Sequence, residues 1–237
     1  MASQIHKVLK QAIITFTSRP ELFASNLNSL SAVLDKTTAE DVNLDTRYMN
    51  EDWGENDRAP VTFIDIYEDS NLTMNIFILK SGSQLPLHNH PEMYGLIKVI
   101  SGKIKITSYS LNTSKTLDID RMSFKDDFVP PIDHRRRKIL TAELISSEVV
   151  DVNSKPCILD PFNKNIHEIQ SIDGPAAFLD ILAPPYNTEI PNKGSRLCSY
   201  YAVLSNVMPN VYRLQEIRTP SWYWTDSCPY TGPNLHF

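Results

Sequence analysis

Two imidazoles separated by one residue, His88 and His90, sit in the stretch Gly82-Ser-Gln-Leu-Pro-Leu-His88-Asn89-His90-Pro91. On an extended strand successive side chains alternate between faces, so both rings project the same way. At about 3.3 Å per residue their attachment points lie roughly 6–7 Å apart, close enough for both to grip one metal ion. Pro91 cannot donate to a sheet ladder and marks the end of that strand. Alone, a His-x-His pair is equally compatible with two ordinary histidines. A third ligand must come from elsewhere, and downstream only His134, His167 and His236 remain. His236 is penultimate, and His134 abuts the basic run Arg135-Arg-Arg-Lys138, which reads as a solvated loop. His167 lies in Asn165-Ile-His167-Glu-Ile169, a short piece whose apolar residues do not keep one strict alternation. Beside a two-histidine half-site it is the stronger choice.

Other residues carry chemistry or packing. Asp180 interrupts the apolar run Ala176-Ala-Phe-Leu-Asp180-Ile-Leu182, where a carboxylate is costly to bury without a partner. It is either an exposed or loop-bonded residue or an acid that faces a substrate. Tyr186 follows two prolines, at a pocket mouth or in packing. Cys198 and Tyr200 share one face if the chain is extended there, so their side chains can meet. Cys157 and Cys228 show no chemistry beyond free thiols. Trp222, Tyr223, Trp224 and Tyr230 seal a barrel edge as packing residues, or line a groove for a peptide.

The elements that must position these residues fall into two textures. Residues 1–45 read as helical, with apolar stripes Ile5, Val8, Leu9, Ala12, Ile13, Phe16 and then, after Pro20, Phe23, Leu27, Leu30, Leu34. Thr38-Ala-Glu-Asp41 resembles a capping start. His6 lies beside the first stripe and reads as solvated. From residue 60 onward come short β-branched runs: Val61–Tyr67, Asn75–Leu79, Leu96–Ile100, Lys103–Tyr109, Cys157–Leu159, Ala176–Leu182, Tyr200–Leu204 and Tyr212–Ile217. Ser101-Gly102 reads as a tight hairpin turn between two of them. Residues 112–156 read as a loop insertion. The expectation is one domain over 1–237, mainly β, a sandwich or small barrel over 60–237 with helices packed on it.

Composition narrows the function classes. A net charge of −5 over 237 residues argues against a general nucleic-acid or membrane-surface binder, whose footprint would be basic. With 41% hydrophobic and 22% charged residues the chain has ordinary globular composition. It shows no apolar run long enough for a membrane span and no secretory leader pattern. Three scattered cysteines point to a reducing compartment, so a cytoplasmic monomer is expected.

Gly82, His88, His90 and Gly102 fall at the spacings of the first cupin motif, G-x5-H-x-H-x4-E-x6-G, and Gly95 stands where that motif carries a ligating Glu. The frame selects the cupin double-stranded β-helix, a jelly-roll barrel, without its carboxylate ligand. Beyond it, Leu85-Pro-Leu-His88-Asn-His90-Pro91, Lys98-Val99, Pro156-Cys-Ile-Leu159, Ile166-His167 and above all Gly174-Pro-Ala-Ala-Phe-Leu-Asp180-Ile-Leu-Ala-Pro-Pro-Tyr186 resemble the thiol dioxygenases of the cysteamine dioxygenase and plant cysteine oxidase group, the animal members most. The likeness runs to Tyr230-Thr-Gly232-Pro233. Asn89, Glu92 and Tyr94 depart from the Asp, Gly and His of that group, which bears on the surroundings of the metal.

The resemblance implies Fe(II) held by His88, His90 and His167, with Asp180 receiving the substrate's ammonium or helping with dioxygen. It puts Tyr94 and Tyr186 in the substrate pocket and allows a thioether between Cys198 and Tyr200. A site of three imidazoles keeps the full +2 charge of the ion, which a substrate thiolate offsets. Both atoms of O2 then go to sulfur, giving a sulfinate with no organic cofactor. The implied substrates are a small aminothiol such as cysteamine and the N-terminal cysteine of proteins, with oxygen sensing as a consequence of the latter. Two other classes stay open: a cupin that binds metal or ligand without turnover, and a metal-dependent isomerase or non-thiol dioxygenase on the same barrel.

Overall fold

Ser3 caps the first helix, α1 (Gln4–Thr17), its hydroxyl accepting from the His6 amide at 3.4 Å. Pro20 opens α2 (Pro20–Leu34), a position where its missing N–H would have had no intrahelical partner. The computed structural model describes residues 2–50, 58–111 and 139–235. The expected stripe is buried: Ile5, Val8, Leu9 and Ala12 have no exposed surface, nor do Leu30 and Leu34. Together they pack on Leu96, Leu179 and Ile181, so the helices cover one outer face of a sheet. His6 is half-buried on α1. Asp41, within the short 3-10 turn Glu40–Val42, accepts from the Thr38 amide at 2.9 Å. Among the described residues no helix is long and apolar enough to cross a membrane.

The sheet is built on two long strands, β4 (Tyr94–Leu111) and β7 (Ile166–Ala183), which run antiparallel along nearly their whole length. On its other edge β7 pairs with β2 (Thr73–Leu79) through residues 176–182, and with β3 (Gln84–Asn89) through residues 166–170. Beyond β2 lies β1 (Val61–Glu68). Beyond β3 come β10 (Tyr200–Met208), β11 (Val211–Ile217) and β5 (Ile139–Asp151), and β5 returns to β4. The ring β7–β3–β10–β11–β5–β4 therefore closes, as the cupin barrel expectation requires. The short β6 (Cys157–Leu159) pairs with β4, β8 (Glu189–Ile190) with β9 (Gly194–Ser195), and β12 (Thr225–Ser227) runs parallel to β1.

Two sequence expectations need correction. Ser101-Gly102 is not a hairpin turn but a bend inside the continuous β4, where the register with β7 shifts twice. Glycine is required there. Its φ is +69°, and a Cβ would sit 2.3 Å from the Pro175 carbonyl oxygen of β7. Residues 112–156 are not a loop insertion throughout, because β5 occupies 139–151 and supplies a wall of the barrel. Its alternation breaks opposite Ser108 and Tyr109, where the ladder skips Ile145, and that bulge hid the strand. His134 and the basic run Arg135–Lys138 lie outside the described residues.

Candidate metal centre

Strand alternation decides what faces the barrel interior. On β7, Leu179, Ile181 and Ala183 turn to the helices, so Phe178, Asp180 and Leu182 turn inward. On β4, Leu96 turns outward and Ile97 inward by the same rule. His88 stands opposite His167 across the β3–β7 ladder and opposite Tyr200 across the β3–β10 contact. Two residues along the chain from His88, His90 presents its ring on the same side. The three ring centroids form a nearly equilateral triangle, 4.8 Å for His88–His90, 4.9 Å for His88–His167 and 4.7 Å for His90–His167. One nitrogen from each ring lies within 4.8 Å of the others, and His90 Nε2 is 3.1 Å from His167 Nε2.

The donor set fits a divalent ion. Two imidazole nitrogens each about 2.1 Å from one ion and at right angles around it stand about 3 Å apart. His90 and His167 have basicities far below the ordinary histidine value, first because of burial and then because of neighbouring imidazoles. Burial also lowers His88. All three are neutral near pH 7, the form that ligates metal. Two tautomers follow from hydrogen bonding. His88 Nδ1 donates to the Pro86 carbonyl at 2.7 Å, which leaves Nε2 for the ion. Tyr186 donates its hydroxyl proton to the Asn89 carbonyl at 2.6 Å, so at 2.9 Å it accepts from His90 Nδ1–H. His90 Nε2 is then also free to ligate.

Among the described residues no carboxylate takes the place that Gly95 leaves. A Cβ there would meet Leu159 Cγ at 2.9 Å and Leu182 Cδ2 at 3.0 Å, and both leucines are buried. The acid that does face the centre is Asp180, in a cavity of about 220 Å³ whose apolar walls include Phe77, Leu85, Ile97 and Phe178. Asp180 is 6% exposed, and burial pushes its carboxyl from 3.8 up to about 7. The exposed alternative is therefore excluded. Cys198 lies in hydrogen-bond contact with the hydroxyls of both Tyr186 and Tyr200, and burial raises its thiol pKa. Burial likewise pushes Tyr200 up to about 12. Cys198 and Tyr200 do line one wall, and Tyr186 joins them there.

Asn89 lies between two of the histidines with its side chain on the opposite face. Its Oδ1 accepts from the Ser199 amide at 2.8 Å, its Nδ2 donates to the Tyr201 hydroxyl at 3.2 Å, and its own amide donates to the Ser199 carbonyl at 3.1 Å. With its carbonyl on Tyr186, Asn89 ties the histidine strand to the Tyr186 and Cys198–Tyr200 walls at once.

Tyr94 is not in the cavity. It occupies the outward parity of β4, with its ring 4.7 Å from Phe23 and 6.5 Å from Phe16 of the helices. Conversely, Tyr223 does line the cavity, with its ring 5.8 Å from that of Tyr200. The sequence hint for Tyr223 was its place in an aromatic cluster after the last long strand. Trp222 and Trp224 on either side are each 49% exposed. Tyr230 packs instead toward the helices.

A closed β-barrel with a three-histidine metal centre, opening on an apolar cavity with one buried acid, is the class this geometry defines. The profile of the PCO_ADO family matches residues 33–235, and the chain belongs to that family. It is 33% identical over 267 aligned residues to the 2-aminoethanethiol dioxygenase of Homo sapiens, across 99% of this chain and 97% of that one. Plant cysteine oxidase 2 of Arabidopsis thaliana is 28% identical over 182 residues, 74% of this chain and 56% of its own. Among solved structures, a cupin superfamily protein from Desulfitobacterium hafniense aligns with 58% of this chain and 89% of its own, at 12% identity and a TM-score of 0.34.

Proposed function

We propose that this protein is a non-haem iron(II) thiol dioxygenase that converts cysteamine and the N-terminal cysteine of proteins to their sulfinates. The observation that carries the reading is the triangle of neutral His88, His90 and His167, which no carboxylate joins as a fourth donor among the described residues. What iron(II) would supply on these three imidazoles is open coordination positions for a thiol sulfur and O2. In the overall reaction the thiol sulfur gives four electrons to O2 and keeps both oxygen atoms, so no further reductant is consumed.

The protein's own groups do the rest. His88 and His90 are held in the ligating tautomer by the Pro86 carbonyl and by Tyr186. Asp180 faces the same cavity and, once ionised, receives the ammonium that lies two carbons from the thiol in both substrates. The apolar walls exclude water, which strengthens that ion pair. Tyr186, Cys198 and Tyr200, all protonated near pH 7, add polar but uncharged groups to the cavity wall.

The test is O2 uptake by the iron-loaded protein with cysteamine and with a Cys-initiated peptide, with products weighed by mass spectrometry. One O2 consumed per thiol and a product heavier by both oxygen atoms support the proposal. Tight metal binding without O2 uptake on either thiol would instead make the chain a non-catalytic metal-binding barrel.

A further inference from the structure

A file of aromatic rings leads from the metal centre to the surface. Tyr200 lies 6.4 Å from His88, Tyr223 lies 5.8 Å from Tyr200, and Trp222 lies 6.2 Å from Tyr223, centroid to centroid. The first two tyrosines line the cavity, while Trp222 is 49% exposed. Ring follows ring from the cavity wall to the exposed Trp222.

Resting on the thiol dioxygenase reading above, we infer that Trp222 is a docking rim for the chain that follows the N-terminal cysteine of a polypeptide substrate. The occupant is set by reach. The cavity takes the aminothiol head, and everything beyond the first residue must leave along a wall. The three ring-to-ring steps amount to under about 20 Å, which an extended chain at roughly 3.3 Å per residue covers in five or six residues. Cysteamine ends at its amine and cannot touch Trp222. A dipeptide adds only one residue, about 3.3 Å, beyond that head. An unfolded N-terminus of six or more residues can lay backbone and apolar side chains against the indole. A half-exposed Trp beside a buried pocket suits this, because its large ring buries much apolar area when a chain lies against it. The head group is read identically in all substrates, so the rim is where long and short thiols are told apart.

The experiment compares cysteamine, a Cys-initiated dipeptide and a Cys-initiated ten-residue peptide with the iron-loaded protein and its Trp222→Ala and Trp222→Phe variants. For the unsubstituted protein, kcat/KM should be higher for the ten-residue peptide than for the dipeptide. Trp222→Ala should raise KM for the ten-residue peptide by about tenfold, leave its kcat in place, and leave cysteamine and the dipeptide unchanged. Trp222→Phe should retain most of the peptide preference, which separates ring contact from loss of fold. An equal loss on all three substrates, or no loss on the long peptide, would overturn the inference. Absence of turnover on every thiol by the unsubstituted protein would instead sink the thiol dioxygenase reading.

Discussion

The substitution Asp180→Asn should make the metal-free fold more stable, and increasingly so as pH rises from 4 to 7. Burial lifts this carboxyl from 3.8 to about 7 in the folded protein, with desolvation as the cause. The sign follows directly. Between those two values the unfolded chain gives up its proton while the folded chain keeps it, so the unfolded state is favoured more with each step in pH. Above about 7 both states are ionised and the effect stops growing. At about 1.4 kcal/mol per pH unit, the span from 3.8 to about 7 corresponds to roughly 4 kcal/mol, an upper bound because water entry and relaxation reduce it. A carboxamide has no acidic proton to lose, so the difference between the two proteins isolates this one group from the histidines, which titrate in both. The assay is urea denaturation of both proteins at pH 4.5, 6 and 8. The stability gap should open with pH and then level off. A gap independent of pH would refute the claim that Asp180 sits protonated in a dry cavity. In turnover the same substitution should remove the acid limb near pH 7 and raise KM for cysteamine, because an ionised Asp180 is what receives the ammonium.

Two further outcomes follow from contacts on either side of β4 and β3. Tyr186→Phe removes the acceptor of the His90 Nδ1–H, so metal affinity should fall about 10- to 100-fold in a competition titration, with little change in melting temperature. Tyr94→Ala removes a ring packed between Phe16 and Phe23 and should cost roughly 2 kcal/mol of unfolding free energy with KM for the thiol unchanged.

Local chemistry made the half-site readable. The rings of His88 and His90 do meet as strand alternation predicts, although β3 itself ends at Asn89, before His90 and two residues before Pro91. The ligand His167 is distant in sequence, and only its register opposite His88 brings it close, which no single-strand pattern encodes. Periodicity failed where the chain breaks it. A Ser-Gly pair signals a hairpin and a bend equally well, and the choice at Ser101-Gly102 rests on the approach of Pro175 from β7. β5 was hidden by its bulge at Ile145. The resemblance puts Tyr94 in the pocket by its place in the chain alone, whereas the parity of β4 turns that position outward to Phe16 and Phe23. Asn89, where the resemblance expects Asp, is accommodated because its side-chain amide is satisfied by Ser199 and Tyr201 and its carbonyl by Tyr186.

The central claim is that three neutral imidazoles from two separated strands hold one catalytic ferrous ion. The most direct measurement is iron content and sulfinate formation in His167→Ala beside the unsubstituted protein, both loaded anaerobically with Fe(II). About one iron per chain and steady sulfinate production should be seen only when His167 is present. Full iron occupancy with undiminished sulfinate in His167→Ala would contradict the account.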